Sequence, residues 1–360
     1  MPRPDHVPSP RRRPLGRSGR SNGSSRRTRM RLLALLAALP LLAACASDAD
    51  GPSADDPSAP SAPALPEVQP YRVAEGEPAP DVKRAAVRFL EAVLNYGPGE
   101  GTAEAARDRL REAGAGDGAG AAVTDGLSLL DADASAAAQV VYPQLGGLTE
   151  DRASIMAVVR TSVLSGAGLT STTRVVDVRL ARGGGAWEVE EVASAGDPPG
   201  GSGGPSDASG PPSPDAAGPG ASPVAAEVLA SERITLPDSA RGDITSGRID
   251  ERVLRMMLDL AFEAPISVAV LATGHPDNVF GSSSVSNHTQ GRAVDIWAVD
   301  GATVSDQRLV GERGPVRTLM ELALEKGATE VGGPWALSTP DGAAFTDTVH
   351  EDHLHIGFKT

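Results

Sequence analysis

The sequence holds a single cysteine, Cys45, among 360 residues, which excludes an intrachain disulfide as a source of stability. Aromatic residues make up only 3% of the chain, so its cores must be built from Val, Leu, Ile and Ala. Cations are scarce past residue 45. Ten of the 33 Lys and Arg fall in the first 45 residues with one acid of the 47, so the remainder carries 23 bases against 46 acids, a formal net charge of −23. Such acidity excludes nucleic acid and anionic lipid headgroups as expected partners and reads first as solubility outside the cell. The apolar run at 32–44 is too short to cross a bilayer as a helix. Histidine is missing between His6 and His275, a gap that matters below.

What is present begins with an N-terminal address. Arg3 to Arg31 supply a basic stretch, and the apolar run follows it, the order of a secretory signal whose working start is Met30 on this reading. The early arginines also suit a nucleic-acid tail, but secretion would remove them. The run ends Leu42-Ala43-Ala44-Cys45, which resembles the bacterial lipobox. That resemblance implies cleavage before Cys45, lipidation of its thiol, and an extracytoplasmic protein anchored to the cell membrane. Residues 46–67 are rich in Pro, Ser, Ala and Asp and read as a flexible tether; residues 196–223, almost all Gly, Pro, Ser, Ala and Asp, read as a linker between folded blocks.

Two folded blocks are expected, both α+β. In 68–195, Val82, Ala85, Ala86, Phe89, Leu90 and Val93 recur at helical spacing, with Asp81 as the expected cap. From Ser154 the period becomes two, with Ile155, Ala157 and Val159 on one face. Thr173 to Leu180 alternates again, Gly183-Gly184-Gly185 makes a turn, and Trp187 and Val189 start another strand. The pattern of a helix followed by an antiparallel sheet is loosely similar to cystatin-like or NTF2-like accessory domains. No catalytic constellation stands out there, and a spacer or docking role is expected. In 224–360, Asp250 caps a helix, short apolar strands follow at 266–273 and 293–299, Pro315 opens a helix that Gly327 closes, and 353–358 forms a last strand.

The chemistry gathers in this second block. His275, His288, His350, His353 and His355 all lie there, and histidines placed only for packing would not avoid the rest of the chain so completely. The stretch Ser286-Asn287-His288-Thr289-Gln290-Gly291-Arg292-Ala293-Val294-Asp295 fits the pattern SxHxxGxAxD at each fixed position. His288 offers an imidazole from a loop, Gly291 permits a tight turn, Ala293 leaves room, and Asp295 enters on a strand as an oxygen ligand. His353-Leu354-His355 offers a third ligand, with both imidazoles on one strand face. Two His and one Asp leave a fourth tetrahedral position open, the arrangement of a catalytic zinc.

These residues resemble the D-Ala-D-Ala carboxypeptidase, VanX/VanY and hedgehog-type zinc peptidases over roughly the last 95 residues. The resemblance implies an α+β hedgehog/D-Ala-D-Ala-peptidase-like domain with one Zn2+ held by His288, Asp295 and His355. It implies Asp352 as general base, where the family more often has Glu, and His353 as a neighbouring donor to the transition state. Ser286 would orient the substrate or the first ligand. The implied reaction is hydrolysis of an amide in a peptidoglycan stem peptide or cross-link. Two departures stand out. The Arg that grips a substrate carboxylate in the family is replaced at Thr273-Gly274-His275-Pro276, leaving His275 or Arg292 as substitutes, and His350 and Glu351 compete with Asp352 as the base. The contrasting expectation is a wall-binding or regulatory lipoprotein with the zinc fold and no turnover.

Overall fold

The computed structural model describes residues 63–116, 119–197 and 222–359. The signal segment, Cys45, the first part of the tether and most of the linker lie outside the described residues. The described chain is mixed α+β, with an antiparallel four-stranded sheet and a second, mixed sheet. Among the described residues no helix is long and apolar enough to cross a membrane.

The first block opens with helix α1 (Pro80–Leu94), whose buried face carries Val82, Ala86, Phe89, Leu90 and Val93 as the spacing predicts. Asp81 does not cap it. Ala79 holds the cap position in the left-handed region (φ 46°), Pro80 fits the first helical turn, and Asp81 lies in that turn, paired with Arg84 at 2.6 Å. Two short helices follow, α2 (Ala103–Glu112), capped by the Thr102 side chain, and α3 (Ala119–Asp125). Strands β1 (Ser135–Leu148), β2 (Arg152–Ser165), β3 (Gly168–Gly183) and β4 (Ala186–Ser194) then form a meander in that order. Strand β1 is absent from the sequence expectation: its Ala and Gly content and Pro143 hide it, and Pro143 is tolerated because β1 is an edge strand.

Strand β2 is apolar on both faces. Ile155, Ala157 and Val159 pack against α1, while Met156 and Val158 join Val175, Ala269 and Val270 in a separate small cluster. Ala269 and Val270 belong to the second block, so the outer face of the first sheet is covered by the second. Full burial of such side chains is worth about 1.5–3 kcal/mol each.

The second block contains α4 (Pro223–Ala230), β5 (Ile234–Thr235), α5 (Asp238–Thr245), α6 (Glu251–Glu263), β6 (Ile266–Val270), β7 (Ala293–Val299), β8 (Ala302–Thr303), α7 (Val304–Val310), α8 (Pro315–Glu325), β9 (Glu330–Gly332), β10 (Ala344–Phe345) and β11 (Leu354–Gly357). Asp250 caps α6 by accepting from the Arg252 N–H, and Pro315 opens α8. The sheet runs β10-β9-β11-β7-β6-β5, with β8 paired to β7. Helices α4, α6 and α8 supply Val228, Val253, Met257, Leu260, Leu319 and Met320 to its core, where Leu354 and Ile356 of β11 point. The alternate residue, His355, is thereby turned to the opposite face of the sheet.

Candidate metal centre

Register brings the site together. Strands β7 and β11 are antiparallel neighbours, and Asp295 lies directly opposite His355. His288 reaches them from the loop before β7. The Gly291 N–H closes that loop on the His288 carbonyl, and the Gly291 carbonyl accepts from the Asp250 N–H at the start of α6. Gly291 has φ +69°, and a Cβ there would stand 1.9 Å from the Arg248 carbonyl oxygen, so the tight turn of the motif requires glycine. Ser286 accepts from the His288 backbone N–H at 3.2 Å, a local bond that fixes the start of the turn.

His288 Nδ1 donates to the Leu271 carbonyl at 2.7 Å. That bond fixes the tautomer and leaves Nε2 as a lone pair. Nε2 lies 3.1 Å from Asp295 Oδ1 and 3.1 Å from His355 Nδ1, and His355 Nδ1 lies 3.0 Å from Asp295 Oδ1. The three atoms form a nearly equilateral triangle. Burial opposes charge on His355, but hydrogen bonds to Asp295 and Glu330 outweigh it and hold its pKa at about 9. Burial likewise opposes charge on Asp295, yet His288 and His353 hold its carboxyl well below the usual range.

His275 also belongs to this cluster. His275, His288 and Asp295 each present one ligand atom within 4.8 Å of the others, a group that could hold a metal ion. The His275 ring stacks on His288, with centroids 4.1 Å apart and planes 13° from parallel, and its Nδ1 bonds the Pro276 carbonyl at 2.8 Å. Burial, and then the neighbouring His288, push its pKa well down, so the ring is neutral.

Around the triangle stands a polar shell in which the sequence reading found His353 and Asp352 but not Glu330, Gln144 or Lys83. Glu330 Oε2 faces His355 Nε2 at 3.7 Å and also accepts from the Asn287 amide. Gln144, from β1 of the first block, donates to Asp295 Oδ2 at 2.7 Å and is fully buried. Its Oε1 has no hydrogen-bond partner. His353 Nε2 lies 3.8 Å from the same Asp295 oxygen, while its Nδ1 bonds Asp352 Oδ1 at 2.6 Å. Asp352 is buried completely: Oδ2 accepts from Lys83 Nζ at 2.6 Å and from the Leu145 N–H at 3.0 Å. Burial opposes its charge, but the Lys83 ammonium outweighs that and holds its carboxyl below the usual range.

A cleft of about 860 Å³ opens over the centre. Its walls come from both blocks: Leu145, Leu148 and Met156 from the first, and Phe280, Val285 and Phe345 from the second. His275, Ser286, His288, Asp295, His353 and His355 all line it; Asp352 and Arg292 do not. Arg292 is tied to Asn287 and Gln290. Of the competing bases, Glu351 is paired with Arg308 at 3.2 Å, and His350 bonds Asp347 at 2.8 Å. No Lys or Arg side chain lines this cleft among the described residues.

No family model matches the chain, and no curated protein or solved structure gives a match.

Proposed function

We propose that the chain is a single-zinc peptidase, related in its site to the D-Ala-D-Ala carboxypeptidase and hedgehog-type family and lipid-anchored through Cys45. It acts on peptidoglycan peptides outside the cell. The observation that carries the reading is the triangle of potential ligand atoms from His288, Asp295 and His355, with edges of 3.0–3.1 Å. A tetrahedral zinc with bonds near 2.0 Å has ligand–ligand edges of roughly 3.3 Å, so the donor set fits. His275 is the weaker third ligand. An imidazole lone pair lies in its ring plane, and the nearly parallel His275 and His288 planes do not converge on one ion, whereas the His288 and His355 planes cross at 60°.

Zinc bound there would polarise an amide carbonyl and activate water. The side chains divide the remaining work. Asp352 is turned away from the cleft and already bonded at both oxygens, so the proton-handling group is His353, whose Nδ1–H is held by Asp352 and whose Nε2 faces the cleft beside Asp295. It takes a proton from the attacking water and returns it to the leaving amine. With zinc bound, Glu330, whose Oε2 lies 3.7 Å from His355 Nε2, would favour the His355 tautomer that turns the Nδ1 lone pair inward. Asp352 thus acts through His353, which differs from the direct base that the family resemblance implies.

The cleft also indicates which amide suits it. A terminal carboxylate on the substrate would enter beside Asp347 and Glu330 with no lining Lys or Arg to meet it. The site suits an internal amide, as in a cross-link, better than a carboxypeptidase substrate. The test is cleavage of cross-linked muropeptides by the zinc-loaded protein, with and without chelator. Chelator-sensitive release of monomers is the expected result; intact dimers after prolonged incubation with a zinc-replete protein would leave the wall-binding reading in its place.

A further inference from the structure

Lys83 is a buried charged group that this mechanism does not use. It sits on the apolar stripe of α1 between Val82 and Ala86, with no solvent exposure. Its Nζ contacts Glu77 Oε2 and Asp352 Oδ2, each at 2.6 Å, and lies 4.9 Å from the centre of the Tyr142 ring. Burying an ion pair gains nothing over apolar packing and is often the less stable choice, so stability alone does not explain a lysine here. What the lysine does is hold one oxygen of Asp352. The Leu145 N–H holds the same oxygen, and the other is left for His353 Nδ1. The carboxylate cannot rotate without breaking a buried contact, and the His353 ring is fixed with it.

A second contact from the same block repeats the arrangement. Gln144 Nε2 binds Asp295 Oδ2, which leaves Oδ1 turned to His288 and His355. Between Lys83 and Gln144, Tyr142 donates to the Asp352 carbonyl and stacks on Trp297 of β7 at 5.0 Å. Helix α1 and strand β1 therefore reach the ligand Asp295 and the His353 pair from behind, on the side away from the cleft.

We propose that Lys83 and Gln144 are positioning residues of the metal centre, so that the first block is a structural half of the active site and not a spacer. Lys83 sets Asp352 and, through it, His353; Gln144 sets Asp295. The inference rests on the peptidase reading for its kinetic arm and on metal binding alone for the other.

The experiment compares residues 46–360 as wild type, Lys83→Met, Glu77→Gln and Gln144→Leu, each loaded with zinc or cobalt(II). Lys83→Met is expected to lower kcat on cross-linked muropeptides about 100-fold, with KM, zinc content and the cobalt absorption spectrum unchanged. Glu77→Gln, which touches the same lysine but not Asp352, stays within about threefold. Gln144→Leu alters the cobalt spectrum and weakens zinc binding about 10–100-fold. Wild-type kcat in Lys83→Met, or an equal loss in Glu77→Gln, overturns the role of Lys83; unchanged zinc affinity in Gln144→Leu overturns that of Gln144. If Lys83→Met does not fold, the double variant Lys83→Met/Glu77→Leu removes the charges as a pair, and wild-type turnover in it is equally fatal. If the wild type cleaves nothing, the peptidase reading fails by itself. The zinc affinity of Gln144→Leu and the low-field imidazole proton of His353, which is lost in Lys83→Met if Lys83 holds Asp352, then decide the positioning roles without turnover.

Discussion

Replacing Gly291 with alanine tests the link between the motif's backbone and its chemistry. Two separate costs arise. Gly291 has φ +69°, and a residue with a Cβ gives up roughly 1–2 kcal/mol in that region. The new methyl would also stand 1.9 Å from the Arg248 carbonyl oxygen, a backbone atom that cannot swing aside. Relieving that overlap requires movement of about 1 Å in one of two segments, at a further 1–3 kcal/mol. The sum is about 2–5 kcal/mol, or a loss of roughly 4–20 °C in Tm. Because the Gly291 N–H holds the His288 carbonyl, the shift reaches the ligand, and zinc affinity falls at least about tenfold. Gly342 is the control. It has φ +68° with nothing within 4 Å of its added Cβ, so Gly342→Ala carries only the conformational cost of about 1–2 kcal/mol. Thermal unfolding and a competitive zinc titration of both variants decide the matter. Equal losses in the two, with zinc affinity unchanged in Gly291→Ala, would refute the reasoning.

Further expectations follow from the same geometry. His355→Ala abolishes stoichiometric zinc binding, whereas His275→Ala retains it; the reverse pattern, read by metal analysis, would shift the third ligand to His275. In the metal-free protein the His355 pKa is raised to about 9, so its contribution to stability is complete below its unfolded value near 6.5 and is lost as pH rises through about 9. Chemical denaturation from pH 6 to 10 should show that loss without zinc, and its absence in His355→Ala. A peptide ending in a carboxamide should be cleaved about tenfold better than its free acid, and Asp347→Asn should narrow the gap; a preference for the acid would contradict the charge argument for the cleft.

The parts of this molecule legible in the sequence are the local ones. The spacing from Ser286 to Asp295 anticipates a loop histidine meeting a strand aspartate, and His288 and Asp295 do lie 3.1 Å apart; the alternation of Leu354, His355 and Ile356 gives the side of β11 on which each residue lies. Helix α1 shows in the spacing of Val82, Ala86, Phe89 and Val93, although its cap does not, because a left-handed alanine carries no sequence signal. Gln144, Glu330 and Lys83 were not legible as site residues, since each acts through a contact more than 20 positions distant. Two signals did exist. A lysine within the apolar stripe of α1 is out of place unless something buried pairs with it, and the uninterrupted apolar run from Ile155 to Val159 marks a strand covered on both faces. Read together, they indicate that another layer covers the first sheet.

The most direct test is the zinc content of residues 46–360, purified without added chelator, beside His288→Ala. About one zinc per chain, lost in the variant, is the predicted result. A well-folded wild-type protein that binds no zinc, even when zinc is supplied in excess, would contradict the central claim.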